Sequence, residues 1–89
     1  MYFIEFNKKA QKDLKKLSSF PLYYNKLEKL IEELKIHPET GTGKPEQLKY
    51  NDVPTWSRRI SEKHRLVYEI QGEVVTVLVI SAYGHYNDK

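Results

Sequence analysis

The sequence predicts a two-layer α+β domain of the order β-α-α-β-β-β(-β), a mostly antiparallel sheet with a helix hairpin on one face. Three observations carry this expectation. Tyr2 to Phe6 is short, aromatic and partly alternating, as a first strand is. Two runs of apolar residues at helical spacing follow, separated by Ser18, Ser19 and Pro21. After Pro38 the pattern changes to strand-length runs, ending in Val74 to Ser81, which is apolar on both faces and so is expected to be the central strand. The 89 residues are read as a single domain, 1–89, large enough for one modest core.

Each element has its own signal. Asn7 is a suitable N-cap for a helix on which Ala10, Leu14 and Leu17 recur. Pro21 is tolerated in the first turn of a second helix, where Leu27, Leu30, Ile31 and Leu34 follow the i, i+3, i+4, i+7 pattern, and Pro38 ends it. His37 is read as a C-terminal helix residue placed to favour the dipole. Glu39 to Pro45 holds two glycines, two threonines and a proline and is a loop. A second short strand starts at Gln47. Trp56 to Ile60 and His64 to Ile70 are strands around a Ser61-Glu62-Lys63 connection, and Gln71-Gly72 turns the chain into Val74 to Ser81.

Composition narrows the chemistry. There is no cysteine, which excludes a disulfide framework, an iron-sulfur cluster and a thiolate nucleophile. The N-terminus has no signal-like apolar core, and the longest apolar stretch, Val74 to Ile80, is too short to span a membrane. A cytoplasmic protein with no membrane partner is expected. His37, His64 and His85 are scattered without ligand spacing, so no metal site and no cofactor are expected. The net charge is +3, but its distribution says more. Lys44, Lys49, Arg58, Arg59, Lys63 and Arg65 crowd the middle of the chain against Glu46, Asp52 and Glu62, a field that favours a polyanion. Lys8, Lys9, Lys12, Lys15 and Lys16 fall opposite the apolar residues of the first helix and are read as a solvated face.

Strand parity sharpens the central segment. If Ser61-Glu62-Lys63 brings Ile60 opposite His64, Arg59 lies opposite Arg65, with both side chains on one face. Trp56, Arg58 and Ile60 then share the other face with Leu66, Tyr68 and Ile70. Two facing guanidinium groups repel unless an anion sits between them.

The strings GKPEQLKY, WSRRISEKHRLVYEI and the terminal GHY resemble the YoeB/Txe toxins within the RelE/ParE superfamily. The match covers roughly the C-terminal half in order and spacing. The resemblance implies the toxin of a type II toxin–antitoxin system, a ribosome-dependent endoribonuclease that cleaves mRNA in the A site. It makes Glu46 the general base, Arg65 the stabiliser of phosphate charge, His85 the general acid and Tyr86 a positioning group, with Lys49, Arg59 and Lys44 gripping the RNA backbone. It implies as partners a cognate antitoxin of the YefM/Axe type, whose acidic, partly disordered segment folds across the basic face, and the ribosome with its mRNA. Operator DNA is expected only together with the antitoxin, and a homodimer is one assembly the resemblance allows. The sequence departs from the pattern at Tyr83, where relatives often carry a basic residue, and continues past Tyr86.

The chemistry fits those residue types. RNA can use its own 2′-hydroxyl as nucleophile, so the enzyme must remove one proton, neutralise charge growing on phosphorus and return a proton to the departing 5′-oxygen. A carboxylate, a guanidinium and an imidazole with an unperturbed pKa of about 6.5 suit these tasks. Glutamate is a weak base beside arginines, so its value lies in placement.

Structural readings stand beside the catalytic ones. By spacing alone Glu46 is a solvated loop carboxylate, and the motif reverses that reading. Arg58 is assigned to packing or a salt bridge, His64 to structure and Trp56 to the core. Tyr23, Tyr24 and Tyr50 face either the core or a partner. Two other functions remain as alternatives: a gyrase-inhibiting toxin of the ParE branch, which is not marked by the combination of Glu46, Arg65 and His85, and a non-catalytic nucleic-acid-binding module, for which neither helix offers an obvious reading face.

Overall fold

The computed structural model describes residues 1–48, 52–61 and 64–81. Its elements are β1 (Phe3–Phe6), α1 (Lys8–Leu17), α2 (Pro21–Leu34), β2 (Glu46–Gln47), β3 (Thr55–Arg59), β4 (Arg65–Gln71) and β5 (Val74–Ser81). The order in the sheet is β1-β5-β4-β3-β2. Only β1 and β5 run parallel among these pairs, and the long connection that parallel neighbours need is supplied by both helices and the strands β2 to β4 that lie between them in the chain.

Local sequence accounts for the helix boundaries. The Asn7 side chain accepts from the Ala10 amide at 2.8 Å, capping α1. Pro21 occupies the first turn of α2, where its missing N–H costs nothing. The helix stops at Leu34 with Lys35 as its C-cap, so His37 lies beyond the helix and is not one of its C-terminal residues. Ala10 and Leu17 of α1 and Leu27, Leu30 and Leu34 of α2 are buried, packing with Ile60, Leu66, Tyr68, Val75, Val77 and Ile80 of the sheet. The five lysines of α1 are exposed as expected.

The strands differ in detail from the sequence expectation. β2 begins at Glu46 instead of Gln47, β3 and β4 each shift by one residue, and the last turn is Gly72-Glu73, with Gln71 paired to Val74. Gly72 supplies the positive φ, +60°, that this two-residue turn needs. β4, not β5, is the middle strand, because β2 adds a fifth strand beyond β3; β5 is interior, flanked by β1 and β4. A register shift between Val67 and Tyr68 leaves one extra residue on β5, since Tyr68 pairs with Val77 and Val67 with Val79.

Asp13 is a polar core residue that periodicity does not reveal. It sits on the buried side of α1 at 7 % exposure. Its Oδ2 accepts from the Ile80 amide at 3.1 Å, and Lys9 Nζ bonds the same carboxylate. The physical need is clear: β1 ends at Phe6, opposite Val77, so the Ile80 amide has passed the end of its neighbouring strand.

Candidate active site

The cross-strand register builds the site. Glu46 is paired with Ser57, Ser57 with Val67, and Arg59 with Arg65. Paired residues share a face, and so do residues two apart along a strand. Glu46, Ser57, Arg59, Val67 and Arg65 therefore lie on one face. It is the face away from the helices, because Arg58, Leu66 and Tyr68, the alternate residues, are buried. The expected opposition of Arg59 and Arg65 is present, and so is the turn of Trp56, Arg58 and Ile60 toward the core.

Two rows cross this face. Glu46, Ser57 and Val67 form one, and Arg59 and Arg65 the next. Lys44, at φ +52°, stands before the start of β2, and the Arg59 amide donates to the neighbouring Gly43 carbonyl at 2.7 Å, which holds this part of the backbone beside Arg59. A row of positive groups thus adjoins a row carrying one carboxylate. Backbones two strands apart are about 10 Å from each other, and two residues of rise add roughly 7 Å along the strand. Glutamate and arginine side chains are long enough to reach toward one another across that span. Thr55, Ser57 and Val67 are buried although they lie away from the helices, so the centre of this face is sheltered. Glu46 and Arg59 are exposed and Arg65 is half-buried.

Lys49, His85 and Tyr86, named from the motif, lie outside the described residues, as does Tyr50. The structure thus brings Glu46, Arg59 and Arg65 to one face, with Lys44 at its margin.

Arg58 does not belong to the basic surface in which the sequence places it. Its side chain is fully buried and its five N–H donors are all used. Nε donates to Tyr68 Oη at 3.0 Å, Nη1 to Glu33 Oε1 at 2.8 Å and to the Thr42 carbonyl at 3.3 Å, and Nη2 to the carbonyls of His37 and Thr40. Tyr68 Oη in turn donates to the Pro38 carbonyl at 2.6 Å. The salt-bridge reading of Arg58 is correct, and its partner Glu33 is a residue that sequence reasoning missed. The sequence holds no signal for it: Glu33 stands beside the Leu30–Leu34 stripe, where periodicity reads a carboxylate as solvated, and only the structure shows it half-buried.

His64, read as structural, is buried and its ring lies 4.3 Å from that of Tyr23. Trp56 packs against the core.

Electrostatics follow the contacts. Hydrogen bonds from Thr42, above all its side chain, hold the Glu33 carboxyl below its ordinary pKa, with Arg58 adding to the effect and partial desolvation opposing it. A carboxyl whose pKa is lower folded than unfolded stabilises the fold above the unfolded value and loses that contribution as pH falls through the folded one. The stability difference between the parent chain and Glu33→Gln is therefore expected to be constant near neutrality and to shrink below the ordinary glutamate value of about 4.3. Urea unfolding at a series of pH values checks this. Burial pushes the Tyr68 hydroxyl up, against the opposing pull of Arg58, which keeps it protonated as the donor to Pro38.

Comparison with known proteins gives the family. A family model described as the YoeB-like toxin of bacterial type II toxin-antitoxin systems matches residues 2–86. The chain belongs to that family. It is 43 % identical over 61 residues to Toxin YoeB of Escherichia coli (strain K12), covering 68 % of this chain and 70 % of the relative. The YoeB dimer from Staphylococcus aureus shares the fold with a TM-score of 0.82 at 30 % identity, over 96 % of this chain and 98 % of that one. The heterotetrameric YoeB-YefM toxin-antitoxin complex from Staphylococcus aureus has a TM-score of 0.79 at 30 % identity, over 97 % and 99 %. The toxin's two helices and five-stranded mixed sheet are thus those of its family, and the matched region includes all residues named from the motif.

Proposed function

We propose that this toxin is an endoribonuclease that cleaves mRNA in the ribosomal A site by attack of the RNA's own 2′-hydroxyl, with no metal ion among its reacting groups. The observation that carries the reading is the shared face of Glu46, Arg59 and Arg65. Glu46 takes the proton of the 2′-hydroxyl as that oxygen bonds to phosphorus. Arg65 balances the charge growing on the phosphate oxygens, and a half-buried guanidinium does this better than a fully solvated one. Arg59 and Lys44, with Lys49, hold the flanking backbone. His85 returns a proton to the 5′-oxygen as its bond to phosphorus breaks, and Tyr86 positions the RNA. The products are a 2′,3′-cyclic phosphate and a 5′-hydroxyl.

Chain geometry supports the role of His85. β5 ends at Ser81, whose register partner is Arg65. His85 follows Ser81 by four residues in the sequence, a separation of at most about 14 Å.

Partners follow from the relatives. The YoeB-YefM complex supports a cognate antitoxin, and the YoeB dimer supports a homodimer as a second assembly. Among the described residues no helix is long and apolar enough to cross a membrane, which accords with a cytoplasmic toxin meeting ribosomes.

Incubation with ribosomes translating a defined message tests the reading. A cut in the A-site codon with cyclic-phosphate ends is expected, and a 2′-deoxy residue at the cut position is expected to abolish it. Cleavage of the 2′-deoxy message would overturn the proposed attack. Arg65→Lys keeps a charge but loses the planar fork, and is expected to slow single-turnover cleavage by about tenfold, roughly the 1.4 kcal/mol of one charge-assisted hydrogen bond.

A further inference from the structure

We propose that Arg58, acting with Tyr68 and Glu33, is a positioning residue for Glu46, which rests on the reading of Glu46 as the base. Arg58 itself faces the helices and is fully buried, so it cannot touch RNA. Burying a guanidinium is costly, and an apolar side chain of similar volume would join sheet to helices at least as well. What an apolar side chain would not do is hold the crossing that leads to β2. Three of the guanidinium's bonds go to carbonyls of that crossing, at His37, Thr40 and Thr42, and Tyr68 takes a fourth carbonyl, at Pro38. Glu33 braces the same segment from α2 by accepting from the Thr42 amide at 2.8 Å.

β2 needs this hold. It has two residues, sits at the sheet edge and among the described residues pairs only with β3, and an edge strand of that length is weakly held by its own ladder. A slip of one residue would turn Glu46 to the opposite face. The two glycines let the chain wrap closely around the guanidinium. A Cβ on Gly41 would meet Glu33 Oε1 at 2.5 Å and Arg58 Nη1 at 3.2 Å, and one on Gly43 would meet the Arg59 carbonyl at 2.9 Å, both at positive φ. From the wrapped segment, the Gly43 carbonyl takes the Arg59 amide, and Glu46 follows three residues later. The network runs from the buried charge through the crossing to the carboxylate, and it sets the height of Glu46 against Arg59 and Arg65.

Tyr68→Phe and Glu33→Gln test this with little change of volume, and Arg58→Lys serves as a third, harsher variant. Three quantities are read: ribosome affinity, the single-turnover cleavage rate on saturated ribosomes, and hydrogen exchange of the Arg59 amide against the amides between β4 and β5. Displacement of a reacting group by about 1 Å costs up to about 100-fold, so Tyr68→Phe is expected to slow cleavage by about 10- to 100-fold. Affinity is expected to be unchanged, while the Arg59 amide is expected to exchange faster by a larger factor than the β4–β5 amides, which follow the small loss of global stability. Added to Glu46→Gln, the same change is expected to cost nothing further. Parent cleavage rates in both Tyr68→Phe and Glu33→Gln would overturn the proposal. So would an equal fold-loss with and without the Glu46 carboxylate, which would mark Arg58 as stabilising only and leave the base assignment standing. Full activity of Glu46→Gln alone would instead remove the base assignment, and the positioning proposal with it.

Discussion

Glu46→Gln is expected to lower the single-turnover rate of mRNA cleavage by about 10²- to 10⁴-fold, the range for a lost general base, with ribosome affinity nearly unchanged. The substitution keeps the size and hydrogen-bonding shape of the side chain and removes only its ability to take a proton. Glu46 is exposed at the edge of the sheet and its backbone is set by pairing with Ser57, so nothing in the core depends on its charge. Removing a negative group beside Arg59, Arg65 and Lys44 is expected to leave the affinity for polyanionic RNA the same or slightly higher. Saturating single-turnover kinetics beside a ribosome-binding titration separates the two effects. Equal loss of affinity and rate would show that Glu46 holds the substrate and does not act on its proton.

Arg58→Met is expected to destabilise the fold by about 3–5 kcal/mol, the usual cost of deleting one member of a buried ion pair. Methionine fills part of the volume, but it leaves Tyr68 Oη without its donor and the carbonyls of His37, Thr40 and Thr42 without theirs. Each unsatisfied buried group costs about 1–3 kcal/mol. Small domains have about 5–15 kcal/mol in all, so this variant is expected to approach the limit of folding. Tyr68→Phe, which removes one donor and one acceptor, is expected to cost about 1–2 kcal/mol by the same reasoning. Urea unfolding with both variants checks the order. A loss below about 1 kcal/mol for Arg58→Met, the cost of an exposed pair, would mean that water replaces the guanidinium.

Parts of the fold were legible because local rules decide them. Asn7 and Pro21 mark helix starts through groups within three residues of themselves, and the spacing of Leu27, Leu30 and Leu34 requires one buried face. The opposition of Arg59 and Arg65 was legible for a similar reason, since a three-residue connection sets parity on both sides of it. Other features were not. Asp13 and Glu33 look like surface carboxylates, because their partners are an amide 67 residues away and a guanidinium 25 residues away. Hydrophobic periodicity carries no information about contacts of that range.

The sequence by itself determined the element order, the faces of the helices, the parity of β3 against β4 and the motif that names the family, because each depends on neighbours a few residues apart. Only the tertiary structure decided that β2 adds to the edge beyond β3 and brings Glu46 to the face of Arg59 and Arg65. It alone decided that Arg58, the twin of Arg59 in sequence, turns inward to hold the crossing. Adjacent residues on a strand point to opposite faces, and what waits on each face is set by how the helices and the 37–43 crossing pack, which no local pattern encodes.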